Sequence, residues 1–172
     1  MALITITKTQ RKFMNRAREE LKEIKEIFTL NATDFFLLYG TCLGAVREQD
    51  IISWDFDLDI GVLDHTNQTK IYETFIEHGF KFKRHAKRWQ VSKRIDHTDV
   101  IWYIREADKL VCRGTKNEVA FSAPARFFNS FDTVKIRSES YLAPHPVREY
   151  LNTVYGGNWK HPNRFKRGVL VT

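Results

Sequence analysis

The chain has 172 residues, a formal net charge of +7, 42% apolar residues and two cysteines. That length can bury a core in one domain without staples. No run of about 18 apolar residues is present to span a bilayer, the start MALITITKTQRKF has no basic segment leading into an apolar one as a signal peptide would, and two cysteines make no disulfide framework. We therefore read a single cytosolic domain over residues 1–172, with Cys42 and Cys112 as free thiols and a loosely ordered basic tail from about residue 158. The positive balance favours anionic partners: nucleotides, phosphorylated glycans, nucleic acid or a membrane surface.

In chain order, Phe13, Met14, Ala17, Leu21, Ile24, Ile27 and Phe28 recur at helical spacing, which predicts an amphipathic helix from Thr9 to Phe28. The run FFLLY, Phe35 to Tyr39, suits a buried strand. A Gly-punctuated stretch follows and turns into a short helix after Gly40. Trp54 to Val62 alternates in the manner of a strand. Asn67 to His78 reads as a second amphipathic helix, closed by Gly79. Phe80 to Arg84, Arg88 to Arg94 and Thr98 to Ile104 read as strands, and Lys109 to Arg113 and Asp132 to Arg137 as edge strands or hairpin arms. Val147 to Tyr155 forms a last helix, stopped by Gly156 and Gly157.

Within SWDFDLDI, strand alternation puts Asp55, Asp57 and Asp59 on one face and Phe56, Leu58 and Ile60 on the other. Carboxylates about 7 Å apart along a strand repel unless a positive charge sits between them. A solvated edge strand would tolerate them, but edges more often carry Lys. A divalent cation is the sharper reading, since Mg²⁺ takes one or two carboxylates plus substrate phosphates. Such a site serves phosphoryl or nucleotidyl transfer. It needs a phosphate cradle, for which Gly40 and Thr41 at a helix start are candidates. It also needs a third carboxylate. Asp99, which opens an apolar strand, is favoured over Asp96.

The stretch LLYGTCLGAVREQDIISWDFDLDIGV resembles the core signature of the LicD family, which includes fukutin and fukutin-related protein. Gly40, Thr41, Leu43, Gly44, Ala45, Val46, Arg47, Ile52, Trp54, Asp55, Asp57 and Asp59 carry the match. REYLNTVYGGNWKHP is similar to the family's closing segment through Tyr150, Leu151, Tyr155, Gly156, Trp159 and Pro162. The resemblance departs at Ser53, Cys42 and Phe56, where Pro, Leu and an acidic residue are common. It implies an α+β chain with the minimal nucleotidyltransferase fold of the DNA polymerase β superfamily: a mixed β-sheet with flanking helices. It also implies transfer of a phosphorylated group, such as phosphocholine or ribitol phosphate, from a CDP-linked donor to a glycan hydroxyl. By position, Asp57 and Asp59 would bind Mg²⁺ (or Mn²⁺), and Asp99 would complete the metal site or act as general base. Gly40 and Thr41 would contact donor phosphate.

Arg47 follows the Gly-Thr turn and suits phosphate or a surface cap equally. Trp54 stacks on a base or sugar, or packs beneath the Asp segment. Asp55 orients the metal ligands. The basic run Lys81 to Arg94 is a solvated strand face or a receiver of donor phosphate, with Arg88 and Lys93 as the candidates. His85 and His97 have no zinc-ligand spacing with Cys42 or Cys112, and Cys42 reads as a small packed residue. Two competing readings keep the fold: nucleotidyl transfer from an NTP to a nucleic acid, protein or small molecule, and a non-catalytic anion-binding module.

Overall fold

The structure, a computed structural model, describes residues 6–85 and 87–162. Helix α1 spans Lys8–Leu30, longer at both ends than its apolar period alone requires. Its start is fixed by a capping box: Thr7 accepts the Gln10 N–H, and the Gln10 side chain accepts the Thr7 N–H at 2.9 Å. Met14, Ala17, Leu21, Ile24, Ile27 and Phe28 are buried as the spacing demands. Glu20 is buried among them.

Strand β1 is short, Phe36–Leu37. Tyr39 belongs not to the predicted strand but to α2, Tyr39–Arg47, which it opens at φ 41°. The reason is tertiary: Leu38 donates to the Asp59 carbonyl, and the next free amide, Tyr39 N–H, goes to the Tyr150 hydroxyl. Strand β2 covers Leu58–Val62 and not the whole predicted stretch from Trp54. Ahead of it the chain bends, with the Asp55 N–H bonded to the Ile52 carbonyl at 3.2 Å. Phe56 accordingly leaves the alternation: Leu58 and Ile60 are fully buried, whereas Phe56 is 49% exposed and packs edge-on against Phe13. Helix α3, Gln68–Glu77, is followed by Gly79 at φ +76°, the left-handed terminator expected there.

Strands β3 (Lys81–His85), β4 (Arg88–Ser92) and β5 (Thr98–Trp102) match the three predicted runs in the core of each. Then come β6 (Ile104–Glu106), β7 (Lys109–Arg113), β8 (Val119–Pro124), a single 3-10 turn at Ala125–Phe128, β9 (Phe131–Ile136) and β10 (Glu139–Pro144). Lys109–Arg113 is the middle strand of a small sheet, order β6-β7-β8, and not an edge. Helix α4, Val147–Tyr155, has the predicted bounds; Asp132 accepts the Val147 N–H at 2.8 Å and so caps it from β9.

The main sheet has seven strands in the order β3-β4-β5-β2-β1-β10-β9. It is mixed: β2 runs parallel to β5 and β1 parallel to β10, and the other pairs are antiparallel. This is the α+β arrangement with flanking helices that the resemblance implied. Of the tail expected to be loose, 158–162 are described, with Trp159 buried; the remainder lies outside the described residues.

Candidate active site

Parallel pairing of β2 with β5 sets Asp59 directly beside Asp99. The bend before β2 brings Asp57 and Asp55 round to the same side, where they, Asp59, Gly40, Arg47 and Trp54 line one cleft of about 940 Å³. Six of the ten predicted site residues thus share a cavity. The loop, rather than strand alternation, gathers the carboxylates.

Gly40 is glycine for a visible reason. A Cβ there would collide with Asp55 Oδ2. The Asp55 carboxylate therefore lies over the first turn of α2, where the partial positive charge of the helix N-terminus favours an anion. Thr41 sits behind the cleft wall, buried, and its hydroxyl accepts the Asp59 N–H at 2.8 Å. Its side chain fixes the backbone of the carboxylate segment and does not face the cleft.

Burial pushes the Asp59 carboxyl well above the usual carboxylate range, and the negative charges of Asp57, Asp99 and Asp55 push it further; Arg88 opposes them. Asp99, 4% exposed, is ion-paired through Oδ2 with Arg88 Nη2, while its Oδ1 is buried without a hydrogen-bond partner. The Arg88 guanidinium also lies 5.5 Å from the Phe121 ring of β8. Arg88 is thus held beside Asp99 instead of lining the cleft. Asp96, the weaker candidate in sequence, does line it, next to His97, whose Nε2 is 3.7 Å from Asp57 Oδ2.

Lys93 lies elsewhere. Its ammonium donates to Glu23 Oε1 at 2.7 Å and to the His78 carbonyl at 2.6 Å, on the side of the sheet that faces α1 and α3. The expectation that it meets substrate is not supported by this placement. Arg47 is shared: Nη2 pairs with Glu48 at 2.7 Å, Nη1 donates to the Trp159 carbonyl at 3.3 Å, and the guanidinium lies 6.0 Å from the Trp54 ring. Trp54 is half-buried in the cleft wall.

The opposite wall comes from the C-terminal segment, through Tyr155, Asn158, Trp159, His161 and Pro162. Reading the residues one by one did not assign these to the site; only the similarity of the closing segment pointed near them. Tyr39 also lines the cleft, its hydroxyl 3.1 Å from that of Tyr103.

Among the described residues, no three His, Cys, Asp or Glu side chains are gathered closely enough to cage a metal ion by themselves. Mg²⁺ does not require that, because phosphates and water complete its shell around one or two carboxylates. Asp57 and Asp59 offer hard oxygen donors in the cleft, and mutual repulsion raises the affinity of Asp59 for any cation, proton included. The partnerless Asp99 Oδ1 lies on the neighbouring strand. The donor set fits Mg²⁺.

No helix among the described residues is long and apolar enough to cross a membrane. A family model for the LicD/FKTN/FKRP nucleotidyltransferase domain matches residues 32–145, more than half of the chain. The chain is 26% identical over 163 residues to the ribitol-5-phosphate transferase FKTN of Mus musculus, covering 87% of this chain and 34% of that protein. The Homo sapiens protein of the same name is 24% identical over the same length and coverage. An uncharacterised protein of Rickettsia typhi is 33% identical over 93 residues, 53% of this chain and 29% of the other. The chain thus spans about a third of the length of the curated relatives it matches. Among solved structures, the crystal structure of ANT(2")-Ia in complex with adenylyl-2"-tobramycin superposes with a TM-score of 0.54 at 9% identity, covering 73% of this chain and 67% of that one. That likeness shows a shared fold. The family model, matched over more than half of the chain, establishes that the chain belongs to the LicD/FKTN/FKRP family and carries its nucleotidyltransferase domain.

Proposed function

We propose that the chain is a Mg²⁺-dependent transferase that moves a phosphorylated group from a nucleotide-activated donor to an acceptor hydroxyl, on a glycan or a similar polyol. The observation that carries this reading is the meeting of Asp55, Asp57 and Asp59 with the N-terminus of α2 in one cleft, inside the family's nucleotidyltransferase domain. Asp57 and Asp59 would hold the ion. When bound, it would neutralise charge on the donor's phosphate oxygens, the main contribution to such transfers.

The protein's own groups divide the remaining work. The first turn of α2 supplies fixed positive charge at the cleft, and the space that Gly40 leaves open is taken by the Asp55 carboxylate. Asp55 shares that turn and orients the segment leading to Asp57 and Asp59. Thr41 anchors Asp59 through its backbone. Asp99 is not among the residues that line the cleft; its buried Oδ1, beside Asp59, would take the hydroxyl proton or a share of the cation only once it is reached from the cleft, with Arg88 offsetting the charge of the other oxygen. Trp54, Tyr155 and Trp159 line the cleft and offer aromatic surface to the donor.

The alternative of nucleotidyl transfer to nucleic acid is less well supported. Three cations of the basic run are committed internally: Arg88 to Asp99, and Lys93 and Arg94 to Glu23. Thermal shift with Mg²⁺ and CTP, ATP, CDP-choline or CDP-ribitol tests the choice. Greater stabilisation by a CDP-linked compound than by free NTP is expected, and the reverse order favours the alternative. In the Asp57→Asn/Asp59→Asn double variant, turnover of the selected donor should fall on the order of 10³-fold or more. Retained turnover would refute the mechanism.

A further inference from the structure

We propose that Glu20 is a positioning residue for this cleft: from helix α1 it fixes the turn between β4 and β5, and with it Asp96, His97 and Asp99. The inference rests on the reading of the cleft as the transfer site, but its physical basis is separate. Glu20 is fully buried on the otherwise apolar face of α1. A carboxylate in such a place is costly unless its oxygens are satisfied.

They are satisfied by one short segment. Glu20 Oε2 accepts the backbone N–H groups of three consecutive residues, Lys93 at 3.2 Å, Arg94 at 2.6 Å and Ile95 at 3.2 Å. Oε1 accepts the Thr98 hydroxyl at 3.1 Å. Successive amides turned toward one point form a concave anion site, and here the anion is built in. The same carboxylate thus grips the end of β4 and the start of β5.

Everything between those two grips matters to the cleft. Asp96 and His97 line it, and His97 faces Asp57. Thr98, itself fully buried, immediately precedes Asp99, whose register beside Asp59 the pairing of β5 with β2 then fixes. Glu23 adds a second clasp through the side chains of Lys93 and Arg94, but it touches no backbone of the turn. An apolar residue at position 20 would fill the space and leave three amides unpaired. The carboxylate therefore specifies where the turn stands as well as filling the core.

Two kinds of readout test this. Amide hydrogen exchange at Arg94 and Ile95, which needs no substrate, reports on the tether. Turnover of CDP-ribitol and titration with Mg²⁺ and CTP report on the cleft. Glu20→Gln keeps size but is neutral, so its one oxygen holds the three amides without charge assistance and its NH2 must donate to the Thr98 hydroxyl instead of accepting from it. It should speed exchange at these amides at least about tenfold and lower kcat roughly 10- to 100-fold, with KM within about twofold, because a displaced catalytic group costs rate more than binding. Should that variant not fold, Thr98 decides: Thr98→Ser should keep the wild-type rate and Thr98→Val should lose it. Unchanged exchange in Glu20→Gln, faster exchange with unchanged kcat, or equal rates in the two Thr98 variants would each overturn the proposal. If the wild type turns over no donor, the transferase reading fails, and the exchange data alone decide whether the tether exists.

Discussion

Two of the molecule's carboxylate groups are treated oppositely. Behind the sheet, Glu20 is wrapped by three amides and a hydroxyl, and its neighbour Glu23 is held by Lys93, Arg94 and His78. At the cleft, Asp59 is half-buried beside Asp57, Asp99 and Asp55, with Arg88 as the opposing charge. The first arrangement is complete without any ligand and serves architecture. The second leaves carboxylates facing one another with Arg88 as their counter-charge, the imbalance that the proposed cation would relieve.

The contrast can be broken most severely at its completed end. Glu20→Leu leaves three amides and a hydroxyl without partners and should cost roughly 3–5 kcal/mol of stability, measured by urea unfolding. A loss below about 1 kcal/mol would mean that the amides find other partners. At the cleft, Gly40→Ala should do the reverse. The new Cβ meets the movable end of the Asp55 side chain, so stability should change little while turnover drops about tenfold. Equal losses in both would erase the distinction between the two regions.

A smaller effect separates them by pH. The Glu23 carboxyl is drawn down from 4.5 to about 2: burial works against this, but hydrogen bonds from Lys93, Arg94 and His78 outweigh it. A depressed pKa contributes stability above the unfolded value that is lost as pH falls toward the folded one. The wild type should therefore lose stability between about pH 4.5 and 2 more steeply than Glu23→Gln, as read from unfolding midpoints across that window.

These two regions were unequally legible in the sequence. The helices α1, α3 and α4 could be read because apolar period and terminators agree locally, down to Gly79 and Gly156. The carboxylates of the cleft stood out because like charges two residues apart need a cause. Their geometry did not: the bend at Asp55 and the left-handed Tyr39 depend on Ile52 and on Tyr150, and no local rule reports such partners. Lys93 and Arg88 look alike in a basic run, yet one goes to Glu23 and the other to Asp99, choices made by strand pairing and by a helix some 70 residues earlier. Glu20 looked like any solvated Glu of an amphipathic helix. The C-terminal wall, from Tyr155 to Pro162, enters the cleft through the packing of α4 against α2 and the bond from Arg47 to the Trp159 carbonyl, partners far away in sequence. Strands β6, β8 and β10 were missed because they are short or end in Pro and have no clean alternation.

The most direct measurement is the melting temperature of the wild type and of Asp59→Asn, each with and without Mg²⁺. If a hard cation balances the cleft, the metal-free Asp59→Asn variant should melt higher than the metal-free wild type by roughly 2–4 °C, the equivalent of about 1 kcal/mol of repulsion removed. Mg²⁺ should raise the wild type and leave the variant unmoved. A variant that melts below the wild type and still responds to Mg²⁺ would contradict the account.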